Sequence, residues 1–151
     1  MSKTLLSLSI AALAAVAVPV QAQFAKPEDA IRYRQSAYVI MGQQMNSIAA
    51  QLKSDKPDLT RIQRSAGIVE FVFSLPGEGY VPGSDKGGNP PTRAKPEIFT
   101  SPKVREIASE TRQEIAKLNE AAKNGDLAAI RTQFQATAKA CDNCHDNFRS
   151  K

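Results

Sequence analysis

Prolines and glycines crowd one stretch of this 151-residue chain, and that stretch divides everything around it. Between Pro76 and Thr100 lie Gly77, Gly79, Gly83, Gly87 and Gly88, together with Pro82, Pro90, Pro91 and Pro96. Neither a helix interior nor a central strand tolerates that density. The segment reads as a long crossover with little regular structure, and loops of that length in a compact domain are usually functional or mobile. On both sides of it, apolar residues recur at intervals of three and four, the mark of amphipathic helices.

Four helices follow from that periodicity. The first runs from about Pro27 to Lys53, with Ile31, Tyr38, Met41, Met45, Ile48 and Leu52 as its stripe. Pro27 suits the first helical position, and Glu28 and Asp29 suit the positive end of the helix dipole. The second begins near Asp58, a candidate N-cap, carries Leu59, Ile62, Ala66, Val69 and Phe73, and is stopped by Pro76. The third starts at Ser101-Pro102, shows Val104, Ile107, Ala108, Ile115, Leu118 and Ala122, and ends at Asn124-Gly125. Asp126 caps the fourth, whose face holds Leu127, Ile130, Phe134, Ala138, Cys141, His145 and Phe148. No strand alternation or internal repeat is present. The expected fold is all-α: an antiparallel four-helix bundle with one long central crossover.

Residues 1–22 read as a secretory signal peptide. Lys3 supplies the positive n-region, Leu5 to Val18 the apolar stretch, and Val20-Gln21-Ala22 small residues at a cleavage site. The rival reading is a membrane anchor, but the apolar run is short for a span of ~20 residues. Cleavage after Ala22 leaves one domain, residues 23–151, with no membrane span and a periplasmic location. Losing Lys3 lowers the formal net charge from +5 to +4. The remaining Lys and Arg residues are scattered among Asp and Glu, without a basic run or interleaved aromatics, so a nucleic-acid surface is not expected.

The chemistry is concentrated at the end of the fourth stripe. Cys141-Asp142-Asn143-Cys144-His145 is a C-x-x-C-H motif, the signature of covalent haem c attachment. On a helix, residues three and four apart share a face, so both thiols and the imidazole converge. The thiols can then add to the two haem vinyl groups, and His145 becomes the metal ligand on the proximal side. A thioredoxin-like redox pair needs a strand-and-helix context that is missing. A disulfide across a three-residue helical separation has awkward geometry. A zinc site lacks further ligands, because every Cys and the only His lie in these five residues.

Only six residues follow His145, so a sixth iron ligand has to come from upstream. Met41 and Met45 are candidates, since a thioether can complete a low-spin haem. The competing reading makes them ordinary core filling, which leaves the iron five-coordinate and open on its distal side. No enzymatic role is expected: the single His is spent on iron, and no distal acid–base group remains. Arg34 falls between Ile31 and Tyr38 on an apolar stripe, where a charge needs a partner or a route to water.

Over nearly the whole mature chain the sequence resembles the cytochrome c′ family. The resemblance rests on Gln23-Phe24-Ala25-Lys26-Pro27-Glu28-Asp29-Ala30, Tyr33-Arg34-Gln35-Ser36-Ala37, Leu75-Pro76, Pro96-Glu97-Ile98, and the terminal C-x-x-C-H with Arg149 four residues on. It implies an antiparallel four-helix bundle, usually a homodimer, holding one five-coordinate high-spin haem c in the periplasm. Members bind nitric oxide and carbon monoxide and are described broadly as electron-transfer proteins. The alternative within the same bundle is a low-spin, methionine-ligated electron carrier.

Several contacts are implied residue by residue. Arg34 and Gln35 match the pair that meets a haem propionate. Tyr38 matches the position facing the vacant side of the iron, which is compatible with core packing, and Tyr80 corresponds loosely to a second distal aromatic. Asp146 and Arg149 lie near the proximal side, where a solvated helix terminus is the competing picture. The expected partners are a second copy of the chain, the gases NO and CO, and a redox partner of unknown identity. Val39, Ile40, Ile68 and Val72 lie beyond the apolar stripes and suggest that the first two helices form the dimer face.

Overall fold

A computed structural model describes residues 23–151, so the proposed signal peptide lies outside the described residues. Four helices carry the fold: α1 (Pro27–Lys53), α2 (Leu59–Phe73), α3 (Lys103–Asn124) and α4 (Leu127–Phe148). No described helix is long and apolar enough to cross a membrane.

The helix ends show why the chain turns where it does. Asp58 Oδ1 accepts from the Arg61 amide at 3.0 Å, and Asp126 Oδ1 accepts from Ala128 N at 2.8 Å, so both candidate N-caps satisfy otherwise unpaired amides. Gly125 ends α3 in the left-handed region at φ 76°, which a side chain would resist. Two boundaries differ from expectation. α3 begins at Lys103 with Pro102 in the cap position and no side-chain cap, so Ser101 does not serve as one. α2 ends at Phe73, before Pro76, because Ser74 Oγ and the Ser74 amide both bond to the Phe71 carbonyl and tighten the last turn.

Neighbouring helices run antiparallel. Ser47 meets Arg61 and Gln51 meets Asp58 across α1 and α2. Asn119 of α3 bonds Glu70 of α2, and Arg112 lies over the Phe73 ring. Thr137 and Gln133 of α4 both donate to the Glu114 carbonyl of α3.

The two ends of the bundle are built differently. At the end holding the short connections, all four helices share one core: Ile48, Leu52, Ile62, Ala66, Leu118, Ala122 and Ile130. Each large aliphatic side chain buried there contributes about 1.5–3 kcal/mol. At the other end a second cluster, Ala37, Met41 and Val72 with Ile68, Phe73 and Leu75, joins only α1 to α2. α1 and α4 scarcely touch, although they are neighbours in the bundle. The bundle is therefore closed at one end and splayed at the end where α4 carries Cys141, Cys144 and His145.

The crossover occupies the splayed end. It contains two 3-10 turns, Pro76–Gly79 and Pro96–Phe99, and one isolated antiparallel bridge between Ala94 and Arg149. Lys95 N donates to Phe148 O at 2.9 Å and Ser150 N to Arg93 O at 2.8 Å. These bonds tie the loop to the last turn of α4.

Candidate haem site

The motif residues arrive on α4 as the 3.6-residue repeat requires. Cys141 and Cys144 are free thiols, each partly buried. Burial, with Asp142 and Cys144 nearby, pushes the Cys141 thiol up to about 11, and burial also raises Cys144. Desolvation and the Arg149 guanidinium hold His145 below the ordinary imidazole range, with Arg93 adding to the effect against the opposing charges of Asp142 and Asp146. A neutral imidazole is the form that binds a metal. Asp146 thus reaches His145 through charge, while its backbone carbonyl accepts from Lys95 Nζ at 2.9 Å. Arg149 is the C-cap residue, its amide donating to the His145 carbonyl at 2.9 Å. The Lys95 ammonium also reaches Asn147 O, which places a cation at the negative end of the helix dipole.

Opposite the motif stand Tyr38 of α1 and Tyr80 of the crossover, their hydroxyls 3.1 Å apart. Tyr38 is 39% exposed as a residue, yet burial of its phenol oxygen, with Tyr80 and Cys144 adding, pushes its pKa far up. The ring is therefore part exposed while its hydroxyl is held among neighbouring groups. Cys144 also raises Tyr80, so the motif lies close enough to both phenols for its charge to reach them. Met41 is only 8% exposed and packs with Ala37 and Val72 in the α1–α2 cluster. Met45 packs against the core at the closed end. Phe73, on the expected α2 stripe, packs against the cluster that holds Met41, with Arg112 over its ring.

Among the described residues Arg34 is the one charged side chain that is almost wholly buried, at 2% exposure. Its Nη1 donates to Gly79 O at 2.6 Å and Ser84 Oγ at 2.8 Å; its Nη2 donates to Ser84 O at 2.5 Å and Thr92 Oγ1 at 2.8 Å. The guanidinium carbon also lies 4.6 Å from the Tyr80 ring centroid and 6.0 Å from that of Phe99. A charge on the apolar stripe did need a partner, and the chain supplies four. Gly79 permits the approach: a Cβ there would meet the Ala30 carbonyl at 2.8 Å. Gln35, next along α1, donates to the Pro90 and Pro91 carbonyls at 3.1 and 3.3 Å.

Ser84, Thr92, Phe99, Arg93 and Lys95 were not identifiable from the sequence. Each lies in a segment without periodicity, and only a buried arginine in need of acceptors hinted that loop residues would be drawn in. Val72, expected on an outer face, is 6% exposed and buried between α1 and α2, with Ile68 beside it. Phe71 takes its place outside, 70% exposed, alongside Val39 at 64% and Ile40 at 45%.

These residues suit a c-type haem. Two reduced thiols share a helical face with an imidazole held towards its neutral form, and Cys144 lies near enough to the phenols of Tyr38 and Tyr80 for its charge to raise both. Fold and site together define a four-helix-bundle haem protein with its cofactor attached near the chain's C-terminal end. The chain belongs to the cytochrome c′ family, whose family model matches residues 29–149.

The cytochrome c′ of Rubrivivax gelatinosus is 34% identical over 131 residues, covering 85% of this chain and all of the relative. Its crystal structure superposes with a TM-score of 0.78. A solved cytochrome c′ with ligand-controlled dimer dissociation is 33% identical, with a TM-score of 0.79 over 83% of this chain and 98% of that one. A ferrous arginine-to-lysine variant of the Alcaligenes xylosoxidans protein with bound NO is 31% identical, with a TM-score of 0.77 over 85% of this chain and 99% of that one. The cofactor of this family is a covalently attached haem c, and the two cysteines here provide its attachment.

Proposed function

We propose that this protein is a periplasmic, non-enzymatic haem protein whose five-coordinate, high-spin iron transfers single electrons and binds NO and CO on the side facing Tyr38. The haem supplies a metal that changes oxidation state by one electron and takes a diatomic ligand at a free position. Cys141 and Cys144 would hold it by thioether bonds, and His145 would be its only protein ligand. Arg34 and Gln35 stand on α1 with their side-chain donors on crossover acceptors, and the Arg34 charge would favour propionate carboxylates placed nearby.

One observation carries the reading. The two thioethers considered as sixth ligands pack elsewhere, Met41 between α1 and α2 and Met45 against the closed-end core. The residues facing Cys144 are phenols. A neutral phenol is a poor iron ligand unless it loses its proton, and burial raises both phenols away from that. Neither phenol carries a charge to offset an anion's lost hydration, so neutral diatomics would approach at less desolvation cost than anions.

The NO-bound relative agrees with this chemistry. The exposed group Val39, Ile40 and Phe71 on α1 and α2 supports self-association through that face, and dimers occur among the relatives. An optical spectrum of the ferrous protein with and without CO tests the reading. A high-spin Soret band that converts on adding CO is expected. Resolved low-spin α and β bands before CO is added would refute it in favour of a six-coordinate carrier.

A further inference from the structure

The Tyr38–Tyr80 contact joins two elements of unequal freedom. Tyr38 stands on α1 with its ring partly exposed, held at its tip by the 3.1 Å contact between hydroxyls. Tyr80 cannot follow if Tyr38 moves. Its ring is stacked on the Arg34 guanidinium at 4.6 Å and meets Phe99 edge-on at 5.7 Å. The residue before it, Gly79, is gripped by Arg34 at 2.6 Å and pressed against the Ala30 carbonyl. The Tyr80 amide closes the 3-10 turn onto Gly77 O at 3.3 Å. Tyr80 is thus a fixed post and Tyr38 a hinged ring tied to it.

We propose that Tyr80 is a positioning residue that latches Tyr38, and that breaking this hydrogen bond is part of the barrier a diatomic ligand crosses on its way to the iron. This deepens the open-site reading and rests on it. A ligand approaching the face that Tyr38 covers requires the ring to rotate about its side-chain torsions. The rotation separates the two hydroxyls before either can take a new partner, so the bond adds to the cost of entry. The latch acts on association. A phenol that instead donated to bound ligand would act on release, so the two roles separate kinetically.

The test is CO association with the ferrous, haem-loaded protein, measured by flash photolysis for Tyr80→Phe, Tyr38→Phe and the double variant. Both substitutions keep the aromatic ring and its packing. Each single change should raise the association rate roughly three- to tenfold, the worth of one neutral hydrogen bond. The double variant should be no faster than the faster single, because one bond is lost in all three. The tyrosine doublet in the ultraviolet resonance Raman spectrum of the gas-free protein reads the phenol pair independently of binding, and it should change in Tyr80→Phe. A low-spin ferrous spectrum would overturn the open-site reading and the latch with it. A high-spin spectrum with an unchanged CO rate in Tyr80→Phe, single effects that multiply in the double variant, or an unchanged Raman doublet would overturn the latch alone.

Discussion

Replacing Arg34 with Met keeps the aliphatic stem on α1 and removes the guanidinium that holds the crossover. Four hydrogen bonds from a cation disappear, to Gly79 O, Ser84 Oγ, Ser84 O and Thr92 Oγ1. Summing them at about 1.5–3 kcal/mol each would overstate the loss, because the desolvated charge is relieved as well. The acceptors left behind decide the magnitude. Ser84 is fully buried, so its carbonyl has no solvent to turn to, and the Gly79 carbonyl keeps only the 3.3 Å bond from the Ser84 hydroxyl.

Orphaned buried acceptors cost about 1–3 kcal/mol each, while Thr92, partly exposed, can turn to water. The net destabilisation is then about 2–4 kcal/mol, which for a domain of this size lowers Tm by about 7–15 °C. Thermal unfolding of the haem-loaded protein, followed by far-ultraviolet circular dichroism, measures it. Arg34→Lys should recover only part of the loss, since one ammonium cannot reproduce a planar fork that reaches four acceptors. A fall in Tm of less than about 3 °C for Arg34→Met, or full recovery by Arg34→Lys, would refute the account of Arg34 as the strut between α1 and the crossover.

Three further outcomes are expected. Ile62→Ala, at a site with no exposure in the core shared by all four helices, should cost about 2–5 kcal/mol in denaturant unfolding, and a loss below ~1 kcal/mol would contradict that packing. Phe71→Asp should shift the sedimenting species from dimer to monomer at micromolar concentration without lowering helix content; an unchanged dimer would place the interface elsewhere. All three tyrosines have raised pKa values, Tyr38 and Tyr80 mainly by burial and Tyr33 mainly by its hydrogen bond to Glu78, so the folded state holds their protons more tightly than the unfolded chain. Their contribution to stability is complete below the unfolded phenol pKa of about 10 and is lost as pH rises beyond it. Tyrosinate absorbance should accordingly appear together with unfolding, and independent ionisation near pH 10 in the folded protein would contradict the burial of Tyr38 and Tyr80.

The helical architecture was legible because it depends on short-range rules. Ile48 and Leu52, Ile62 and Ala66, and Leu118 and Ala122 are each four residues apart, and burying them requires only that each helix turn one stripe inward. Asp58, Gly125 and Asp126 mark helix ends through their own local chemistry. The C-x-x-C-H motif is legible for the same reason, since its geometry lies within a single helical turn.

The open end of the bundle is another matter. That Arg34 would be held by Gly79, Ser84 and Thr92, that Tyr38 would meet Tyr80, and that Lys95 would cap α4 are pairings across 42 to 58 positions for the first two and 51 or 52 for the third. They lie in or against a segment whose glycines and prolines erase periodicity. The same limit misplaced Val72 and Ile68, because a residue at the edge of a stripe is buried or exposed according to where the neighbouring helix crosses it. Residue order alone determined four helices and a haem-attachment turn. The face opposite that turn was decided by long-range contacts, since a loop without a repeat of its own takes its conformation from the buried donor it must satisfy.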